Sequence, residues 1–160
     1  MTVVMLTREL DPSADRLVEA LHQRAVPVFR TDVAAFPQRL SLDARLGPYG
    51  WDGVLSTEYR EVRLCDVRSV WYHHPTQFAL PEGMSRPERR HAAAEARCGL
   101  GGVKYFGISF GAFDFVITPD GSWVFLECNP SGAYGWLEET LDLPITSALA
   151  DLLANGVIAC

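Results

Sequence analysis

Short apolar runs separated by polar, turn-forming stretches dominate the first third of the chain. Val3–Leu6 is apolar and rich in β-branched residues, and Asp11-Pro12 then supplies an N-cap and a first-turn proline for a helix through about Arg24. Leu17, Val18 and Leu21 give that helix one apolar stripe, and Val26–Arg30 reads as a second strand. Residues 3–30 therefore predict a strand, helix and strand joined by a right-handed parallel crossover, the opening of a Rossmann-like α/β fold.

Arg39–Leu46 and Trp51–Thr57 flank Gly47-Pro48-Tyr49-Gly50 and predict a hairpin with a four-residue loop that extends or flanks the first sheet. Asp66–Ser69 lead into an aromatic strand, Val70–His74, ended by Pro75. Ser85 and Glu88 have the spacing of a capping box, with Pro87 in the first turn, and start a helix to about Cys98 whose alanines 92, 93, 94 and 96 favour close packing. Gly99–Gly102 are expected to break it. Gly111–Ile117 and Ser122–Cys128 then read as two strands around the turn Thr118-Pro119-Asp120-Gly121, a loop runs from Asn129 to Gly135, and Pro144 opens a last helix carrying Ile145, Leu149, Leu152 and Leu153.

The length of 160 residues, with 48% hydrophobic and 21% charged side chains, suits one globular domain or two small ones and excludes a disordered tail. A net charge of −6 argues against a general nucleic-acid or anionic-membrane surface. Cys65, Cys98, Cys128 and Cys160 lie too far apart for a zinc ribbon or a paired redox motif and read as free thiols. Residues 1–10 hold too short an apolar run for a signal peptide, and no later run approaches membrane-spanning length, so a soluble, cytoplasmic protein is expected.

The first strand-to-helix turn, Thr7-Arg8-Glu9-Leu10-Asp11-Pro12, has no glycine, which disfavours a dinucleotide-dependent oxidoreductase. The sharpest chemical constellation is Asp114, Glu127 and Asn129. With an even number of turn residues, Asp114 faces Phe125 and Ala112 faces Glu127, so the two carboxylates become diagonal neighbours on one face, about 7–8 Å apart at the α carbons. Period-2 alternation adds Asn129 to that face, giving the oxygen donors that a hard cation such as Mg²⁺ takes together with phosphate. An odd turn flips Asp114 away, and the same residues also read simply as strand-edge charges followed by an Asn-Pro turn.

The stretch from Gly111 to Leu153, GAFDFVITPDGSWVFLECNPSGAYGWLEETLDLPITSALADLL, resembles the C-terminal end of an ATP-grasp peptide maturase of the MvdD-like kind, the ligases of microviridins and related graspetides. LTRELDPSADRLVEAL, LSLDARLGPYGWDGVL, VWYHHP and EGMSRPERRHAAAEAR are similar to the MvdD-like pre-ATP-grasp domain. The resemblance implies a pre-ATP-grasp domain over 1–102 and a C-terminal remnant of the ATP-grasp domain, hairpin and helix, over 103–160. It implies ATP and Mg²⁺ as cofactors, with Asp114, Glu127 and Asn129 as metal ligands and Asn129, Ser131 and Gly132 beside the nucleotide. The implied reaction activates a side-chain carboxylate of a precursor peptide as an acyl phosphate, which a Ser, Thr or Lys side chain of that peptide attacks to close an ester or amide ring.

The chain departs from the family in two places. Basic residues usually stand where His73 and His74 are found, and as neighbours on a strand these two are expected to point to opposite faces, away from any shared metal. Val103–Ser109 alone span the position of the family's central sub-domain and lid, which supply phosphate-binding lysines, and Lys104 is the one lysine of this chain. A cation edge without those contacts loses much of its transition-state stabilisation, so a non-catalytic module that pairs with itself or with a full-length maturase is the alternative reading. Gly99–Gly102 read as a helix cap before a phosphate cradle, and Arg86, Arg89, Arg90 and Arg97 as a solvated face before an acidic-peptide site. Trp123 and Phe125 are expected on the cation face and read as packed under a sheet before flanking a nucleotide, and Trp136, Leu137 and Leu141 are expected to cover the core.

Overall fold

The computed structural model describes residues 1–47, 50–101, 110–129 and 131–156, with 46, 47, 50, 51, 95–101, 113 and 128 described through the backbone alone. The opening unit is β1 (Thr2–Thr7), α1 (Pro12–Gln23) and β2 (Val28–Thr31), and β1 pairs in parallel with β2 in the register Val3 to Val28. Asp11 caps α1, its carboxylate accepting from the Ser13 and Ala14 amides at 3.1 and 3.2 Å, a contact that contributes about 1 kcal/mol to such a helix start. On the other edge of β1 lies β6 (Val67–His73), also parallel, so the strand order is β2-β1-β6.

Both faces of β1 are covered, and its alternation shows how. Val3 and Met5 meet Leu17 and Leu21 of α1, Trp71 of β6, and Leu149, Ala150 and Leu153 of α4 (Ile145–Asn155). Val4 and Leu6 meet the opposite layer, where Leu40 of β3 (Leu40–Gly47), Leu55 of β4 (Gly50–Thr57) and Val62 of β5 (Glu61–Arg63) form a second, antiparallel sheet. Burying each such side chain contributes roughly 1.5–3 kcal/mol. The first predicted hairpin thus flanks the parallel sheet as a separate layer. β3 and β4 stay paired to Gly47 and Gly50, tighter than the four-residue loop expected, with Pro48 and Tyr49 outside the described residues.

The capping box forms as the sequence predicts: the Ser85 amide donates to Glu88 at 2.7 Å at the start of α2 (Arg86–Gly101). That helix runs on through Gly99 and Gly101, past the predicted break, because helical hydrogen bonding tolerates glycine at about 1 kcal/mol per residue. Arg86, Arg89 and Arg90 are exposed on it. Two elements were not legible in the pattern, β5 and α3 (Gly135–Leu141). Arg16 of α1 and Arg24, which caps its C-terminus, reach Glu139 and Asp151 at 2.6 and 2.7 Å, tying α3 and α4 to the first helix. α4 therefore shares the core of the opening unit through Leu149, Ala150 and Leu153.

Cys65 is exposed and unpaired, while the side chains of Cys98 and Cys128, and Cys160 itself, lie outside the described residues, as does Lys104. No described helix is long and apolar enough to cross a membrane.

Candidate functional site

The constellation singled out in the sequence sits on an antiparallel hairpin, β7 (Ala112–Ile117) and β8 (Trp123–Asn129). Its turn holds five residues, closed by the Thr118 amide donating to the Ser122 carbonyl at 3.0 Å, with Gly121 at φ 84 where a side chain would be strained. Near the turn Ile117 pairs with Trp123 and Phe115 with Phe125. An odd turn alone separates Asp114 from Glu127. A bulge reverses that: Leu126 is the extra residue, and beyond it Asp114 pairs directly with Glu127 and Ala112 with Asn129.

The expected diagonal register is therefore corrected. The two carboxylates face each other across the ladder, where α carbons lie about 4.5–5.5 Å apart, and Asn129 follows two residues on along the same face. Asp114 and Glu127 are exposed and Asn129 is half-buried. The Asn129 side-chain oxygen accepts from the Ser131 amide at 2.9 Å, and the Gly132 amide donates to the Asn129 carbonyl at 3.1 Å. A β carbon on Gly132 would lie 2.3 Å from that of Ala112, so only glycine lets this loop close against β7. The Ser131 hydroxyl donates to the Tyr72 carbonyl at 3.1 Å, anchoring the loop to the end of β6. Among the described residues no three His, Cys, Asp or Glu side chains converge, so the set stands as two carboxylates and one amide.

The odd turn moves the aromatic residues. Trp123 and Phe125 share the face of Phe115, with ring centroids 5.9 and 5.7 Å from it, opposite the carboxylates. They are exposed, not packed under a sheet: among the described residues β7 and β8 pair with no third strand. Trp136 and Leu141 are exposed as well and do not cover the core.

A buried polar cluster at the carboxyl ends of β1 and β6 escaped the sequence reading. Asp11 accepts from the Thr7 hydroxyl at 2.7 Å and pairs with His73 Nδ1 at 2.9 Å, all three side chains being buried. Burial pushes the Asp11 carboxyl up, but hydrogen bonds from His73, Thr7 and the Ala14 amide together hold it below the ordinary aspartate range. Asp11 was legible as a helix cap, whereas its partner lies 62 residues away and no local signal connects them. His74 adopts φ 41 and so leaves the strand alternation, which places its ring edge-on to His73 at 4.2 Å. The expectation that these two histidines diverge is thereby overturned. Burial, then His73 and Arg8, lower the pKa of His74. Beside this cluster a cleft of about 480 Å³ opens at the ends of β1 and β2, with Glu9, Arg39, Glu58 and Arg60 among its walls.

Comparison with known proteins fits this architecture. The family profile described as the MvdD pre-ATP grasp domain matches residues 2–104. Among solved structures, the macrocyclase MdnC of Microcystis aeruginosa MRC bound with precursor peptide MdnA superposes with a TM-score of 0.80 at 17% identity, covering 98% of this chain and 100% of that one. The macrocyclase MdnB of the same organism gives 0.78 at 18% identity, covering 97% and 99%. A RiPP-associated ATP-grasp ligase of Chryseobacterium gregarium, in complex with ADP and a leader and core peptide, gives 0.55 at 17% identity, covering 92% of this chain and 60% of that one. No curated protein matches significantly. These identities establish a shared α/β fold, and the profile over most of the chain establishes descent: the chain belongs to the MvdD pre-ATP-grasp domain family.

Proposed function

We propose that this protein acts on a precursor peptide as an ATP-grasp-type maturase, with the carboxylate face of the β7–β8 hairpin holding the divalent cation that presents a nucleotide. The observation that carries the reading is the direct pairing of Asp114 with Glu127, restored to one face by the bulge at Leu126, with Asn129 alongside. Two carboxylates and an amide oxygen are hard oxygen donors on an open face, and they fit Mg²⁺, which keeps several positions for water and phosphate. Ser131 and Gly132, in the loop closed on Asn129, would border the nucleotide. Bound there, Mg²⁺-ATP would supply the phosphoryl group that activates a peptide carboxylate, before a Ser, Thr or Lys side chain of the same peptide closes the ring.

Residues 110–143 contain no Lys or Arg, so this stretch attracts a cation but offers phosphate no counter-charge. The protein therefore retains a cation edge, and ligation itself depends on cationic groups from elsewhere. In this reading residues 1–102 are the pre-ATP-grasp unit and 103–160 the remnant of the ATP-grasp domain. The compartment is the cytoplasm, where ATP is present and an exposed Cys65 thiol stays reduced.

Thermal unfolding with millimolar Mg²⁺-ATP tests the proposal. At ten times the dissociation constant, ligand binding adds about 1.4 kcal/mol, or roughly 3–6 °C for a domain of this size. The shift is expected to require Mg²⁺ and to vanish in the Asp114→Ala, Glu127→Ala double variant, whose side chains are exposed and whose removal leaves the core intact. A wild-type melting curve that does not move at millimolar Mg²⁺-ATP overturns the reading.

A further inference from the structure

We propose that the cleft at the carboxyl ends of β1 and β2 holds the peptide segment to be closed into a ring, and that it selects a segment carrying one lysine and one acidic side chain. This rests on the maturase reading and adds a substrate class to it. The cleft, of about 480 Å³, has the size of a small-ligand site, and part of the charge on its walls is already used by the fold. Arg30 is engaged by the Asp15 carboxylate and by the carbonyls of Arg8 and Glu9. Asp32 accepts from the Ala34 and Thr76 amides, both at 3.1 Å, and from the Thr76 hydroxyl. Two carboxylates and two guanidinium groups remain, those of Glu9, Glu58, Arg39 and Arg60. All four side chains are exposed, and none forms an ion pair with another described residue. Arg60 is nevertheless held in place: its guanidinium lies 5.1 Å over the Phe29 ring and donates to the Arg30 carbonyl, which leaves further N–H groups for a ligand.

Opposite charges that line one cleft without pairing complement a ligand that bears both signs, a carboxylate on Arg39 and Arg60 and an ammonium on Glu9 and Glu58. The hydroxyl of an ester-forming serine or threonine has no charge for the two glutamates to meet, whereas lysine has, so among the rings open to the proposed reaction the cleft selects the amide. Strand register places the cleft beside the loop assigned to the nucleotide. Ser131 donates to the Tyr72 carbonyl of β6. Tyr72 stands opposite Leu6 of β1, and Leu6 opposite Thr31 of β2, which lines the cleft. Neighbouring strands lie about 4.8 Å apart, so this one row across the sheet separates the Ser131 anchor from the cleft by about 10 Å. An extended peptide spans that distance in about three residues. The carboxyl ends of parallel strands are also the edge at which open α/β sheets take their ligands.

Amide shift mapping by NMR without nucleotide tests this, with an end-blocked lysine-glycine-glycine-glutamate peptide titrated to about 10 mM. The expected result is saturable binding with shifts concentrated at residues 7–9, 30–39 and 57–60. Replacing the peptide's lysine by norleucine or serine, or its glutamate by glutamine, is expected to weaken binding about threefold to fivefold, the worth of an exposed ion pair. Arg39→Gln should narrow the preference for glutamate over glutamine and leave that for lysine, and Glu58→Gln should do the converse, a crossed pattern that general loss of structure does not produce. Absence of shifts at the highest peptide concentration overturns the proposal, as do shifts centred outside the cleft or equal binding of a peptide with both charges removed. A serine peptide that binds as well as the lysine peptide overturns the selection of the amide. Should either variant lose its dispersed spectrum, the peptide series on the wild type decides. Peptide binding is read without Mg²⁺-ATP and the melting shift without peptide, so the two fail separately. Charge-selective peptide binding beside an unmoved melting curve removes the nucleotide reading alone, and a melting shift without peptide binding removes the cleft alone.

Discussion

β1 and the β7–β8 hairpin are strands of similar apolar content with opposite fates. Val3, Val4, Met5 and Leu6 are completely buried, whereas Phe115, Ile117, Trp123 and Phe125 are each about half exposed or more. The difference lies in the neighbours and not in the side chains. β1 has a parallel strand on each edge, helices α1 and α4 over one face, and the β3-β4-β5 sheet over the other. β7 and β8 have only each other as sheet partners among the described residues. An apolar strand is stabilised by the layers that cover it, and a ribbon lacking them keeps its hydrophobic surface for something that binds.

That contrast can be broken by mutation, and the expected effects fall in order. Asp11→Ala removes the α1 cap and leaves the buried Thr7 hydroxyl and His73 Nδ1 without their acceptor; a loss of about 3–4 kcal/mol is expected in urea unfolding. Leu17→Ala, in the layer over β1, should cost about 3 kcal/mol by leaving a cavity. Leu126→Ala on the hairpin should cost under about 0.5 kcal/mol, since the side chain is 57% exposed. A hairpin truncation as costly as Leu17→Ala would show that the ribbon is covered in solution within a single chain, and the contrast would fall.

The smallest effect is one of pH. The Asp11 carboxyl is depressed in the folded protein, so its contribution is fully present above the unfolded aspartate value, near 4, and is lost as pH falls through the lower folded value. Comparing wild type with Asp11→Asn in urea should therefore give a stability difference that is constant near neutrality and shrinks below about pH 4. A gap that persists unchanged into acid would mean that the carboxylate charge is not what holds the ends of β1 and β6 together.

Local chemistry made much of this molecule legible. The Asp11-Pro12 start of α1, the capping box at Ser85 and Glu88, and the apolar runs at Val3 and Val28 each carry their signal within a few residues, where backbone propensity and capping act. Asp114, Glu127 and Asn129 were likewise recognisable as a set of oxygen donors from their residue types and the strands around them. What the sequence alone determined ends there. Whether the carboxylates meet was decided by one extra residue at Leu126, whose bulge brings Glu127 back to the face of Asp114, while the odd turn by itself puts Trp123 and Phe125 on the other face. The Asp11–His73 pair and the layer of β3-β4-β5 over β1 join residues far apart in the chain. Only tertiary packing decides such things, because the free energy of burial depends on which surfaces come together, and a side-chain pattern of period two records that a face is apolar without recording what covers it.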